Sequence, residues 1–206
     1  MSAFTLTPSP TLAATLIGAP ARSALVSLLL VLGGSLLIAA SAQIAFRLPF
    51  SPVPITGQTF AVLMVGMVLG SRLGALAVIA YLAEGIFLPV FAEFRTWAHP
   101  FTLWTAGYLF GFIGAAWLTG WLAERGWDRR PLSTAAAMVL GNVVIYIPGL
   151  MWLGYMYAAN TDFAGTALLS VVAMKGFVLF LVGDGLKLVL AMVAFPAAWR
   201  WLQQSR

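Results

Sequence analysis

Apolar residues run in long blocks, and polar residues gather in short breaks between them. The first block covers roughly Ser23–Phe46, the length a bilayer span of ~20 residues requires. Arg47-Leu-Pro-Phe-Ser-Pro-Val-Pro-Ile-Thr56 ends it. Pro49, Pro52 and Pro54 cannot continue a helix, and each keeps its predecessor extended. The second block, Gln58–Leu69, is short, since twelve residues rise only ~18 Å against a hydrocarbon core of ~30 Å. After a turn at Ser71-Arg72 the third span is expected at about Leu73–Val90. The loop Phe91–Phe101 follows, then a fourth span at about Thr102–Ala123. A fifth is expected at about Leu132–Tyr155, kinked near Pro148. Thr166–Phe195 as one helix would reach ~45 Å, too long for the core. A break is therefore expected at Gly183-Asp184-Gly185. Residues 165–180 become interfacial or re-entrant, and the last span runs about Val182–Leu202.

Composition agrees with this pattern. Of the 206 residues, 62% are hydrophobic and only 8% charged, against about 25% charged in soluble domains. The prediction is an all-α polytopic integral membrane protein with six transmembrane helices. Residues 1–22, rich in Ser, Thr, Pro and Ala, lack the basic start of a signal peptide and are expected to form a loose cytosolic tail. Residues 23–206 form a single membrane domain. With the N-terminus inside, seven basic residues lie inside (Arg22, Arg72, Arg125, Arg129, Arg130, Arg200, Arg206) and three outside (Arg47, Arg95, Lys175). The positive-inside rule then favours both termini in the cytosol. Small residues spaced by four, such as Gly66/Gly70/Gly74 and Gly107/Gly111, allow close helix contacts. Most serve internal packing. The first span, richest in small residues, is the best face for a partner helix, and self-association stays open.

Ionisable groups inside spans are costly and usually face a cavity or pathway. Here they are Glu84, Asp184 and Lys187. Asp184 and Lys187 lie three apart on one helical face. Either they neutralise each other, or they clamp a ligand that presents N–H donors beside a C=O acceptor, because a carboxylate only accepts and an ammonium only donates. A ureido or amide-like ring is such a group. Glu84 is either a protonated or hydrogen-bonded buried acid or a cavity residue. Asn142 and Gln58 are interhelical glue or ligand contacts. Tyr81, Tyr108, Tyr146, Trp104 and Trp152 suit packing or an interface belt more readily than a cavity wall; Tyr81 among them is kept as a candidate contact. Arg95 and Arg47 stand at the outer entrance, where a guanidinium can take a carboxylate in two bonds. His99 is expected to be solvated.

Several classes fall away. The chain has no Cys, one His and no His-Glu-x-x-His, so a hydrolase or metal site has no residues to work with. No phosphate-binding Gly-x-x-x-x-Gly-Lys-Ser/Thr is present. No basic cluster with interleaved aromatics lies outside the membrane flanks, which argues against nucleic acid. A secondary transporter usually shows internal repeats, and none is evident. A small substrate-binding membrane subunit fits best.

Five motifs then carry a resemblance: Pro49-Phe-Ser-Pro-Val-Pro-Ile-Thr-Gly-Gln-Thr-Phe60, Gly70-Ser-Arg-Leu-Gly74, Leu88-Pro-Val-Phe-Ala92, Ala106-Gly-Tyr-Leu-Phe-Gly-Phe112 and Gly183-Asp-Gly-Leu-Lys187. In this order they resemble the BioY family, over about residues 25–202. BioY proteins are the biotin-binding S components of energy-coupling-factor transporters. The resemblance implies six helices in the bacterial plasma (inner) membrane, in contact with membrane lipid. It implies biotin capture from outside, no cofactor and no enzymatic activity of its own. The implied partners are a transmembrane T component and two ATPases. By the resemblance Asp184 and Lys187 hold the ureido ring, Arg95 stands where relatives can carry an arginine for the valerate carboxylate, and residues 47–57 form a lid. Glu93, Phe94 and Trp97 stand where relatives often show glycines. The alternatives are an S component for another vitamin and a self-sufficient secondary biotin carrier.

Overall fold

The computed structural model describes residues 9–18, 23–96 and 104–204. Among these are eight α-helices: α1 (Leu12–Ile17), α2 (Ala24–Ala42), α3 (Gln58–Leu69), α4 (Ser71–Phe87), α5 (Ala106–Ala123), α6 (Pro131–Asn160), α7 (Gly165–Gly176) and α8 (Leu181–Gln204). A two-stranded antiparallel ribbon joins β1 (Ala45–Phe46) to β2 (Ile55–Thr56). Four stretches are long and apolar enough to cross a membrane: α2, α5, α6 and the run Gly165–Gln204. The chain is an all-α membrane protein. Its rim is apolar and open, with Leu25, Leu28, Leu36, Val182, Leu186 and Val193 all exposed, as lipid contact requires.

Helix α5 is central, with α3, α4 and α6 packed directly on it. Helix α2 lies on α3 and α4, while α7 and α8 lie on α6. Lipid tails are as apolar as Leu, so helices in a bilayer associate through close packing of small residues and hydrogen bonds rather than by escape from water. The Gly66/Gly74 spacing is used in this way inside the molecule. Gly66 faces the Ala116 carbonyl and the Thr119 hydroxyl of α5, and a Cβ on Gly74 would stand 2.7 Å from the Gly66 Cα. The Thr119 hydroxyl lies 2.9 Å from the Ala115 carbonyl and 3.3 Å from Leu63 O on α3. Gly70, at φ 88°, makes the reversal between α3 and α4, a conformation open to glycine at little cost. Glu124 then caps α4. Its Oε1 accepts from the Ser71 N–H at 2.8 Å and the Ser71 hydroxyl at 2.9 Å, placing a carboxylate at the positive end of that helix.

Three expectations change. The tail is not loose over its described part. Thr11 caps α1, Leu12 and Ala13 are buried, and the Ser9 N–H donates to Glu124 O at 2.7 Å. Arg22 and residues 1–8 lie outside the described residues. Helix α2 ends at Ala42 and not at Phe46, because Ala45 and Phe46 pair with Thr56 and Ile55. The third change concerns the break in the last apolar run. It falls at Gly176–Phe177, while Gly183 and Gly185 sit inside α8 in open surroundings. A glycine in a helix costs only ~1 kcal/mol, so Gly-Asp-Gly need not end one. At Gly176 the reason for the break is tertiary. The Tyr108 hydroxyl donates to Gly176 O at 2.9 Å, which satisfies a carbonyl freed at the helix end. A side chain there would meet Leu153, Leu150 and that same hydroxyl. Helix α6 continues through Pro148 over its whole length.

The bundle has two different ends. At one, the N-termini of α3, α5 and α8 surround a cavity. At the other, Asp128 is buried in the one-turn 3-10 helix Trp127–Arg129 and accepts from Trp199 Nε1 at 2.6 Å. Burial pushes its carboxyl up, and the Trp199 bond partly offsets this. The Arg129 guanidinium covers the Trp199 ring at 4.6 Å, locking the α5–α6 turn to α8.

Candidate ligand-binding site

The cavity has a volume of about 510 Å³, within the range typical of small-molecule sites. Its walls are aromatic: Phe91, Trp104, Tyr108, Phe112, Tyr146 and Phe180. The proline-rich loop covers one side through Arg47–Pro54. The ribbon closes this loop, and Ser51 ties it down by donating to Lys175 O on α7 at 3.1 Å. Three prolines in eight residues keep the segment extended with little entropy left to lose on ordering.

A polar cluster stands on the α8 side. Lys187 Nζ lies 3.2 Å from Asp184 Oδ1 and 2.7 Å from the Thr59 hydroxyl. The Tyr146 hydroxyl donates to Asp184 Oδ2. Asp184 belongs to the first turn of α8, where the helix dipole favours a negative group. Lys187, Thr59 and Tyr146 line the cavity, whereas Asp184 lies behind them, reaching it through Lys187 and Tyr146. An ammonium has three donors. Two are committed here, which leaves one for a ligand acceptor. The Tyr146 and Thr59 oxygens accept in the same neighbourhood.

A second charged group sits at the mouth, where Arg47, Glu93 and Arg95 line the same cavity. Glu93 Oε1 accepts from Arg47 Nε at 2.5 Å, and Oε2 accepts from Arg47 Nη2. The same Oε2 is 3.1 Å from Arg95 Nη2. The Arg47 hydrogen bond holds the Glu93 carboxyl below its usual range, against partial burial. Glu93 and Phe94 both adopt positive φ, 63° and 56°, which is strained for side-chain-bearing residues. The turn persists because neighbours fix it. Phe91 N–H donates to Arg95 O at 3.1 Å. Gln43 Nε2 donates to Val90 O and Phe91 O, and Gln43 Oε1 accepts from the Phe94 N–H.

The family model described as "BioY family" matches residues 12–204. The chain belongs to the BioY family. Its relatives include "Biotin transporter BioY" of Rhizobium etli, 38% identical over 72% of this chain and 83% of that protein. Another is "Biotin transporter BioY" of Thermotoga maritima, 39% identical over 70% of this chain and 79% of that one. A solved structure of the S-component for biotin from an ECF-type ABC transporter shares the fold. Its TM-score is 0.72 at 21% identity, over 85% of this chain and 92% of that chain. BioY proteins are substrate-binding transport subunits and not enzymes.

In this BioY chain the expected site residues divide. Lys187, Gln58 and Arg95 line the cavity. Asp184 supports it from one layer back. Tyr81, fully buried, is also one layer back: its hydroxyl accepts from Gln58 Nε2 at 2.5 Å, and its ring meets Phe91 edge-on at 5.4 Å. It holds Gln58, which lines the cavity, and does not line it itself. Asn142 is not on the cavity wall; it lies one helical turn before Tyr146, which is. Glu84 accepts from Ser35 at 2.7 Å and holds α4 to α2. Trp104, Tyr108 and Tyr146, expected to pack or form a belt, form walls instead. Trp97, His99 and Pro100 lie outside the described residues. Beyond the expected set, Tyr146, Thr59 and Glu93 also line the cavity, and Gln43 supports the Glu93 turn. Tyr146 was readable as the i+4 neighbour of Asn142 on one helix face. Thr59 stood inside the Pro49–Phe60 motif next to Gln58, whereas Gln43 carried no signal in the sequence.

Proposed function

We propose that this chain is the high-affinity biotin-binding S component of a vitamin uptake system in the bacterial inner membrane. The Lys187–Asp184–Tyr146–Thr59 cluster on the wall of an aromatic cavity carries this reading. A ureido ring presents two N–H donors beside one C=O. The free Lys187 donor suits the carbonyl and the Tyr146 and Thr59 oxygens suit the N–H groups, with Asp184 holding Lys187 and Tyr146 in place from behind. The aromatic walls suit the fused bicyclic body. The two relatives named as biotin transporters support the substrate.

In this reading six helices cross the membrane, α2–α6 and α8, while α7 lies at the interface beside the mouth. Both termini face the cytosol, with the first residues as a cytosolic segment leading into one membrane domain. The end holding Arg72, Arg125, Arg129, Arg130 and Arg200 is then inside by the positive-inside rule. The cavity opens outward and the Arg47–Pro54 loop acts as its lid. In this reading transport also requires a T component and two ATPases, since the chain carries no phosphate-binding Gly-x-x-x-x-Gly-Lys-Ser/Thr of its own. An apolar groove of about 270 Å³ between α2 and α3, floored by Gly33 and Gly34, suits a T-component helix. Equilibrium binding with purified protein tests the substrate. Biotin is expected to saturate one site, while thiamine and riboflavin leave it unoccupied. Equal binding of all three, or none of biotin, would remove the reading.

A further inference from the structure

We propose that Glu93 is an internal counter-carboxylate that occupies the Arg47–Arg95 pair and so sets the cavity's preference for the charge on the ligand tail. This rests on the biotin reading, in which the ring lies at the Lys187 cluster and the tail points to the mouth. The geometry is that of a filled anion site. One carboxylate takes the Nε–Nη2 edge of Arg47 in two bonds and shares an oxygen with Arg95. Together these three side chains carry a net +1 rather than the +2 of the arginines alone. The arrangement is built into the main chain, since the left-handed turn at Glu93 and Phe94, clamped by Gln43, aims the carboxylate inward. Its side chain is only 25% exposed, so water screens it incompletely.

An anionic tail arriving here finds the Nε–Nη2 edge of Arg47 taken and Arg95 already in contact with a carboxylate. It must displace Glu93 or settle beside it against like-charge repulsion. A tail without charge meets neither obstacle. The native protein therefore distinguishes weakly between a carboxylate tail and its neutral ester. Removing the Glu93 charge frees both arginines for the ligand.

The test measures dissociation constants and release rates of biotin and of biotin methyl ester on the native protein, Glu93→Gln and Glu93→Asp. Glu93→Gln should bind biotin about tenfold more tightly, one charge-assisted contact discounted for exposure, with the ester changed by less than about twofold on that scale. Glu93→Asp keeps the charge and should show no selective gain for the acid. If Glu93→Gln releases acid and ester faster by the same factor, Glu93 is only a latch between lid and turn, and the proposal falls. It also falls if neither constant moves, or if the native protein already prefers the acid and Glu93→Gln abolishes that preference. If the native protein binds neither ligand, the biotin reading fails, and this inference with it.

Discussion

Lys187→Met is expected to weaken biotin binding by about 2–5 kcal/mol, the usual cost of truncating one member of a buried, hydrogen-bonded charge pair. That is a loss of at least about 30-fold in affinity. The side chains of Lys187 and Asp184 are 18% and 9% exposed, so a stranded charge would be poorly solvated. Methionine keeps the length and apolar body of lysine and removes the donor. Asp184→Asn should cost a similar amount by a different route. It removes the charge opposite Lys187 and leaves one amide oxygen where two carboxylate oxygens served Lys187 and the Tyr146 hydroxyl. Because the two residues share one site, the double variant should lose less than the sum of the singles. Isothermal titration of the four proteins with biotin checks this. Strict additivity would mean that the pair does not act on the ligand together.

The second large effect concerns the fold. Gly66→Ala places a methyl group against the Ala116 backbone carbonyl and the Thr119 hydroxyl. Backbone cannot swing aside as a flexible side chain can, and overpacking of this kind costs typically 1–3 kcal/mol or more. At the upper end the midpoint of thermal unfolding in detergent should fall by roughly 6–12 °C. Gly33→Ala on α2 is the control, since nothing stands within 4 Å of its added Cβ. Its midpoint should stay put or rise slightly. If both variants melt alike, the close approach of α3, α4 and α5 is not what holds the bundle.

These two cases show what the sequence could reveal. The bounds of α3 were legible because Gly57 and Gly70 bracket a run that is apolar after its first two residues, Gln58 and Thr59. The four-residue glycine spacing announced close packing, though not which helices meet. The Asp184–Lys187 pairing followed from helical periodicity alone. What could not be read depended on distant residues. The break at Gly176 exists because Tyr108, on another helix, satisfies its carbonyl, whereas the local breakers Gly183 and Gly185 are tolerated inside α8. Tyr146 and Thr59 join Asp184 and Lys187 only after three helices have packed. Glu93 is visible in the sequence as an acid between two arginines of the outer loops and as a departure from the family pattern, but its pairing with both arginines depends on the fold. Asn142 is polar within a span, yet the residue of that helix face that reaches the cavity is Tyr146, one turn further along.

The most direct test of the account leaves the protein unaltered and changes the ligand ring. The affinity of the native protein for biotin should be compared with that for an analogue methylated on both ureido nitrogens, with the same tail. If Lys187, Asp184, Tyr146 and Thr59 read the ureido group, the analogue loses both N–H donors and leaves buried acceptors unpaired. The loss is then about 1–3 kcal/mol for each stranded group, so the analogue should bind about 30-fold more weakly or worse. Equal affinity for the two ligands would contradict the account, because the cavity would then be holding biotin by its body and tail while the polar cluster served only to neutralise itself.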